Sequence, residues 1–314
     1  MTKKIAIEEH FIPNEGMDFG FLPQKLLDRL RPSMDKRIAD MDAAGIDQVV
    51  LSSTLPITTV EPKDIEVSRA QMINDQEYQM IQQHPDRFAG FAYLPMLYPD
   101  EAVKELERVV KNYDFKGVMI SGNVAGKFLD DKMFEPLLKK AAELDVPIYL
   151  HPGLTPRPVM DAYYSGFDSN INTMLGGGAY GWHYEVSMHI LRMVIGGIFD
   201  RIPNLKMIIG HLGEGLAFHM DRIDEEMNPL VADKIQHGVS YYLKHNIYIT
   251  TSGYPYDGPF YLAKTQFGAE HTIFAVDYPF TENKLVSDWF DQLKLTETER
   301  EQIANKNVTQ ILHL

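Results

Sequence analysis

Lys4-Ile5-Ala6-Ile7-Glu8-Glu9-His10 is the stretch that orders the rest of the chain. Apolar residues run from Ile5 to Ile7, and three ionisable side chains follow at once. Side chains alternate along a strand, so Glu8 and His10 are expected to point one way and Glu9 the other. A carboxylate and an imidazole two residues apart at a strand end suit a divalent metal, provided other strands supply further ligands. Alone, Glu-x-His reads more readily as a polar cap where a strand meets solvent. The ends of the later strands decide between the two.

Strand patterns recur over Asp47–Ser53, Phe88–Leu94, Gly117–Ile120, Val146–Leu150, Lys206–Ile209, Ile247–Thr250 and Thr272–Val276. Helical periodicity lies between them, over Met34–Ala44, Asp64–His84, Asp100–Tyr113, Phe134–Leu144, Glu185–Phe199 and Gly215–Ile223, with further helical sequence to Tyr242. Gly45 is a helix stop signal, and Thr296 with Glu299 is a capping box that opens a final helical segment to Leu314. Thr155–Gly181 is rich in Gly and Tyr and weakly periodic, and reads as an active-site loop inserted after the fifth strand. Eight strand–helix units without a low-complexity linker predict an α/β fold. Specifically, they predict one (β/α)8 TIM barrel over residues 1–314, with the loop insertion at about 155–181. No Gly-x-Gly-x-x-Gly follows the first strand, which argues against a dinucleotide fold.

Composition narrows the function. The formal net charge of -14 argues against nucleic acid or an anionic membrane as partner. There is no cysteine, so any metal site must be built from His, Asp and Glu. No apolar run approaches the ~20 residues that span a bilayer. The N-terminus enters a strand with no signal-peptide pattern, so a cytoplasmic protein is expected.

Glu8, His10, His151, His211 and Asp277 all fall at the C-terminal ends of predicted strands. In a barrel that is one face, and it is where barrel enzymes place their chemistry. His151 directly follows strand five, and Asp277 follows Val276 and precedes Tyr278-Pro279. Each has a bland reading, as a rim histidine and as a turn aspartate. The convergence of five favours a metal centre. Glu214 lies three residues after His211, close enough to fix its tautomer, or it complements a helix N-terminus. Arg222 binds either a substrate anion or a surface acid such as Asp224. Trp182, Tyr163, Tyr164 and Phe280 are candidates for an aromatic pocket. His84, His237, His245, His271 and His313 read as solvated, and His183, His189 and His219 as helical residues without a partner.

These residues resemble a known family, the amidohydrolase-related decarboxylases. The similarity is to γ-resorcylate and dihydroxybenzoate decarboxylases, with aminocarboxymuconate-semialdehyde decarboxylase more distant. It is carried by Ile7-Glu8-Glu9-His10-Phe11, by Gly181-Trp182 through Arg192, by Gly210-His211-Leu212-Gly213-Glu214-Gly215 with Arg222-Ile223-Asp224, and by Asp277-Tyr278-Pro279-Phe280. Related hydrolases usually carry His-x-His on strand one, where this chain has Glu8-x-His10. The resemblance implies one divalent metal, zinc or manganese and less well magnesium, held by Glu8, His10, His151 and Asp277, with no organic cofactor. It implies a non-oxidative decarboxylase of a hydroxylated aromatic acid, able to run in the carboxylating direction. Asp277 would protonate the ring carbon, the His211–Glu214 pair would sit beside the substrate, and Arg222, Phe280 and Trp182 would contact it. A small aromatic carboxylate is the implied partner, and a homo-oligomer, dimer or tetramer, the implied assembly. Relatives often carry arginine at Gly153, and the loop Tyr254-Pro255-Tyr256-Asp257 has no clear counterpart. Two readings compete: a metal-dependent hydrolase of a lactone or amide on the same barrel, and a non-enzymatic metal-binding or assembly subunit.

Overall fold

The structure is a computed structural model that describes residues 2–13, 24–31, 33–53 and 61–314. Its strands are β1 (Ile5–Phe11), β2 (Gln48–Ser53), β3 (Phe88–Phe91), β4 (Val118–Ser121), β5 (Ile148–His151), β6 (Met207–Ile209), β7 (Ile247–Thr250), β8 (Thr272–Ile273) and β9 (Ala275–Tyr278). All pairings are parallel, in two sheets ordered β3-β2-β1-β9 and β4-β5-β6-β7-β8. Two seams join the sheets. At one, β8 and β9 are consecutive pieces of a single strand, parted at Phe274, whose N–H donates to the Ile303 carbonyl at 2.9 Å. That diverted bond is why the continuous strand expected over Thr272–Val276 is interrupted. At the other, Ala92 bridges Val118, donating to the Gly117 carbonyl at 2.9 Å and accepting from Met119 N–H at 3.1 Å. The eight strand positions thus follow one another in the barrel layout that the alternating pattern predicts.

The strands are buried on both faces, as a parallel sheet covered by helices requires. Ile5, Ile7, Val50, Phe91, Met119 and Tyr149 point inward and pack with Val308, Ile311 and Leu312, so the last helix, Asn307–Leu312, joins the inner cluster. The alternate residues, Ala6, Val49, Leu51, Val118 and Leu150 among them, pack outward against the helices. The helix Met34–Ala44 ends at Gly45 in the left-handed region (φ 64°), and Thr296 with Glu299 forms the expected capping box. No described helix is long and apolar enough to cross a membrane.

Several stretches differ from expectation. Thr155–Gly181 is not an open loop: it holds the helices Arg157–Tyr163 and Ser169–Gly176, tied by Thr155 Oγ1 donating to the Gly176 carbonyl at 2.6 Å. Most of their residues are exposed on every side, so no apolar stripe marks them in sequence. The next helix starts early, at Gly181, and runs to Ile195, where Gly196-Gly197 separates it from Ile198–Arg201. The helices Gln24–Leu30, Asp257–Phe267 and Asn283–Gln292 are ones that the sequence reading leaves unassigned.

Candidate active site

Four side chains meet at the C-terminal ends of the strands. Glu8 and His10 come from β1, His151 from the last position of β5, and Asp277 from β9. One potential ligand atom from each lies within 4.8 Å of all the others. His10 Nε2 is 3.2 Å from Asp277 Oδ1 and 3.8 Å from Glu8 Oε1, and His151 Nε2 is 3.4 Å from Glu8 Oε1. Glu8 Oε1, His10 Nε2 and Asp277 Oδ1 are buried with no hydrogen-bond partner among the described residues. Orphaned atoms of this kind are costly, and here they face one another across a gap lined by two carboxylates and two imidazoles. The set suits one divalent metal ion.

The atoms that turn away from the gap are anchored. His10 Nδ1 lies 3.1 Å from Ser52 Oγ on β2, and His151 Nδ1 lies 2.8 Å from the Pro152 carbonyl. Each contact orients a ring so that Nε2 faces inward. Tyr149 donates its hydroxyl to Glu8 Oε2 and lies 3.2 Å from Thr250 Oγ1, which is 2.9 Å from Ser252 Oγ. Burial, reinforced by the Glu8 charge, pushes the Tyr149 phenol well above its ordinary range, so it stays a donor. The alternation expected on β1 holds: Glu9 points away from the gap and pairs with buried Arg37, whose second Nη donates to the His10 carbonyl at 2.6 Å. Register shifts between Ala6 and Glu9, and Glu8 has φ of 69°, so a bulge aims the carboxylate.

Protonation follows from the crowding. Burial works to lower His10, but the carboxylates of Asp277 and Glu8 that crowd its Nε2 outweigh this and push it up to about 9 while no cation stands between them. His151 is pulled down to about 4 by burial and by the neighbouring His10 charge. Burial acts to raise Asp277, yet His10 and His211 hold it below the ordinary carboxylate range.

Beside the gap stands a second group. His211 Nδ1 is 2.7 Å from Glu214 Oε1, and its Nε2 is 3.8 Å from Asp277 Oδ2. Gly253, with φ of 65°, lets this happen: a Cβ there would stand 3.2 Å from both Asp277 Oδ2 and His211 Cδ2. Burial acts to raise Glu214, but the charges and hydrogen bonds of His211 and His183 overcome it and set the carboxyl at about 2. His183 corrects an expectation, since it has a partner after all: its Nδ1 meets Glu214 Oε2 at 2.5 Å and its Nε2 meets the Tyr254 hydroxyl at 2.9 Å. His189 has one too, its Nε2 accepting from Leu129 N–H at 2.7 Å. His271 is half-buried rather than solvated, with Nδ1 2.9 Å from the Ile247 carbonyl.

The candidate substrate contacts divide. The Phe280 ring lies 5.7 Å from the His10 ring, at the mouth of the gap. Trp182 instead packs on Gly177 and Gly178, outside the cluster. Arg222 is exposed and pairs with Glu225 and Glu226, not with Asp224, whose carboxylate accepts from Ser240. Its helix, Leu216–Val231, places it on a cleft of about 740 Å³ that His211, Glu214 and Tyr254 also line, with Tyr180, Tyr184 and Phe218. Tyr163 is exposed and Tyr164 buried. Gly153 packs backbone to backbone on Gly122, and a Cβ would stand 2.7 Å from the Gly122 Cα, so this chain has no room there for an arginine.

Comparison with known proteins shows the family and the fold. The family pattern of the amidohydrolases matches residues 7–314. The chain is 33% identical to γ-resorcylate decarboxylase of Polaromonas sp. strain JS666, over 100% of this chain and 99% of that protein. It superposes on 2,6-dihydroxybenzoate decarboxylase complexed with 2,6-dihydroxybenzoate with a TM-score of 0.91, at 31% identity and with 100% of both chains covered. A dihydroxybenzoic acid decarboxylase from Polaromonas sp. JS666, with bound manganese and the inhibitor 2-nitroresorcinol, gives a TM-score of 0.91 at 31% identity, covering 100% of this chain and 98% of that one.

Proposed function

The chain belongs to the amidohydrolase family, and from that premise we propose that it is a metal-dependent, non-oxidative decarboxylase of a dihydroxybenzoate-type acid. The observation that carries the reading is the buried quartet whose unpartnered atoms converge. Glu8, His10, His151 and Asp277 hold the metal, and manganese is the first ion to supply, since a relative's structure binds it. A bound divalent ion supplies positive charge for the substrate's carboxylate and neighbouring phenol oxygens.

The chain's own residues supply the proton. Asp277, ionised at rest, takes that proton from solvent or from His211 Nε2 beside its other oxygen and delivers it to the ring carbon that bears the carboxylate. The carbon–carbon bond breaks, its electron pair restores the aromatic ring, and carbon dioxide leaves. One proton is consumed per turnover and remains as the new ring C–H. Glu214 keeps His211 oriented, and Phe280 closes the mouth with an apolar face that limits water. Glu8 where the related hydrolases usually carry histidine disfavours the lactone or amide hydrolase. We also read the exposed Tyr180, Tyr184, Met188 and Phe218 as surface that copies of the chain bury in a homo-oligomer, which sedimentation of the purified protein checks.

The test combines metal analysis with a screen of hydroxybenzoates, alongside Asp277→Asn. About one equivalent of metal, carbon dioxide release from a 2,6-dihydroxylated ring and loss of release in Asp277→Asn are expected. Bound metal with turnover of lactones and no carbon dioxide would overturn the reading.

A further inference from the structure

The two clusters at the strand ends are built differently. In the quartet, the facing atoms of Glu8, His10 and Asp277 lack partners. In the trio of His183, His211 and Glu214, the close approach is already a hydrogen-bonded one: Glu214 Oε1 on His211 Nδ1 at 2.7 Å, and Glu214 Oε2 on His183 Nδ1 at 2.5 Å. A fully ionised carboxylate accepts from both rings, so both Nδ1 atoms carry hydrogen. The trio is therefore a closed clamp and not a second cation site.

We propose that His183 is a positioning residue, which acts through Glu214 to hold His211 in the tautomer and orientation that face Asp277. The inference rests on the decarboxylase reading of the same site. Glu214 sits in a turn where His211, Leu212, Gly213, Glu214 and Gly215 all have positive φ, so its backbone is an improbable one and needs external support. The helix Gly181–Ile195 gives that support twice. Ser187 Oγ donates to the Glu214 carbonyl at 2.9 Å, and His183 takes the outer carboxylate oxygen. His183 is fixed in turn, its Nε2 lying 2.9 Å from the Tyr254 hydroxyl and 3.2 Å from the Gly178 carbonyl. Without His183 the Glu214 carboxylate keeps one anchor instead of two and can rotate about its last bond. His211 then loses its fixed partner. Tyr254 belongs to the loop after β7, which thereby becomes part of the active-site support.

Three variants test this: His183→Ala, His183→Asn, whose side-chain amide can replace the Nδ1–H donor, and Tyr254→Phe. With the manganese-loaded enzyme and a hydroxybenzoate it turns over, His183→Ala is expected to lower kcat by roughly tenfold to a hundredfold, the range for orienting partners of catalytic imidazoles. KM and metal content stay near wild type, His183→Asn recovers most of the loss, and Tyr254→Phe is milder. A kcat unchanged in His183→Ala, or an Asn variant no better than Ala, overturns the proposal. A second readout needs no turnover. Histidine-selective nitrogen-15 NMR of the zinc-loaded protein is expected to show one sharp, hydrogen-bonded Nδ1–H signal for His211 in wild type and a shifted or broadened one in His183→Ala. An unaltered His211 signal overturns the proposal even if no hydroxybenzoate is a substrate, whereas absence of decarboxylation by wild type counts only against the function.

Discussion

At the residue scale, the four residues that converge were legible and their supports were not. Glu8, His151 and Asp277 could be read because each follows directly on an apolar run, and His10 because it stands two residues after Glu8 on the same strand. Tyr149 could not, because a tyrosine inside a strand reads as core. The signal that finds it is spacing: Tyr149 stands two residues before His151, so both point into the barrel. The same rule applied on β7 pairs Thr250 with Ser252. The left-handed φ values of Glu8, His211, Glu214 and Asp277 have no sequence signature at all, since non-glycine residues seldom take them. Tyr149→Phe tests the support. The variant removes the hydroxyl that holds Glu8 Oε2 and leaves a buried carboxylate oxygen short of a donor. Manganese affinity, measured by chelator competition, is expected to fall by roughly 10–100-fold with the fold intact. Unchanged affinity would mean that the strand alone aims Glu8.

At the element scale, periodicity and caps located the strands and the longer helices between them. The missed helices Asp257–Phe267 and Asn283–Gln292 do carry a buried face and were open to the same reading, whereas two others were not. The pattern reports burial on one face, so helices exposed on all sides, such as Arg157–Tyr163 and Ser169–Gly176, leave no trace. His183 was overlooked for a related reason: helical spacing shows which residues share a face, but not that a turn thirty residues later returns to that face. The helix Met34–Ala44 shows how an element steadies the site from behind. Its Arg37 bonds Glu9 and the His10 carbonyl and lies over the Tyr278 ring at 5.3 Å, while its Asp40 accepts from the Tyr278 hydroxyl at 2.8 Å. It therefore grips β1 beside His10 and β9 beside Asp277. Arg37→Met strands Glu9 as a buried unpaired carboxyl, and denaturant unfolding is expected to show a loss of about 3–5 kcal/mol. Adding Glu9→Met should restore much of it, because an apolar pair needs no partner. A double variant no more stable than Arg37→Met would show that the cost lies elsewhere.

At the scale of the whole molecule, the helix Gly181–Ile195 joins the site to the rest of the barrel, and its pinning point makes the fold sensitive to acid. His189 is fully buried, with its ring 5.0 Å from Phe128 and Nε2 accepting from the Leu129 N–H that follows β4. A proton on Nε2 would destroy that bond. Burial, aided by the Arg192 charge, pulls the imidazole down to about 3. The sign follows from proton counting. Between the ordinary histidine value of ~6.5 and the depressed value, the unfolded chain binds a proton that the folded chain refuses. Stability from this group is therefore intact above ~6.5 and is lost as pH falls towards 3, by at most about 1.4 kcal/mol per pH unit. His189→Gln keeps an acceptor on the same side and has nothing to titrate. It is expected to be less stable than wild type by about 1–2 kcal/mol at pH 7.5, from imperfect packing. Urea unfolding repeated at lower pH should show that gap narrowing below pH ~6.5, because wild type carries the linkage and the variant does not. Loss of metal in acid affects both proteins alike and drops out of the difference. Parallel stability curves from pH 7.5 to 5 would mean that His189 takes up its proton in the folded state, and that Leu129 is held by its neighbours instead.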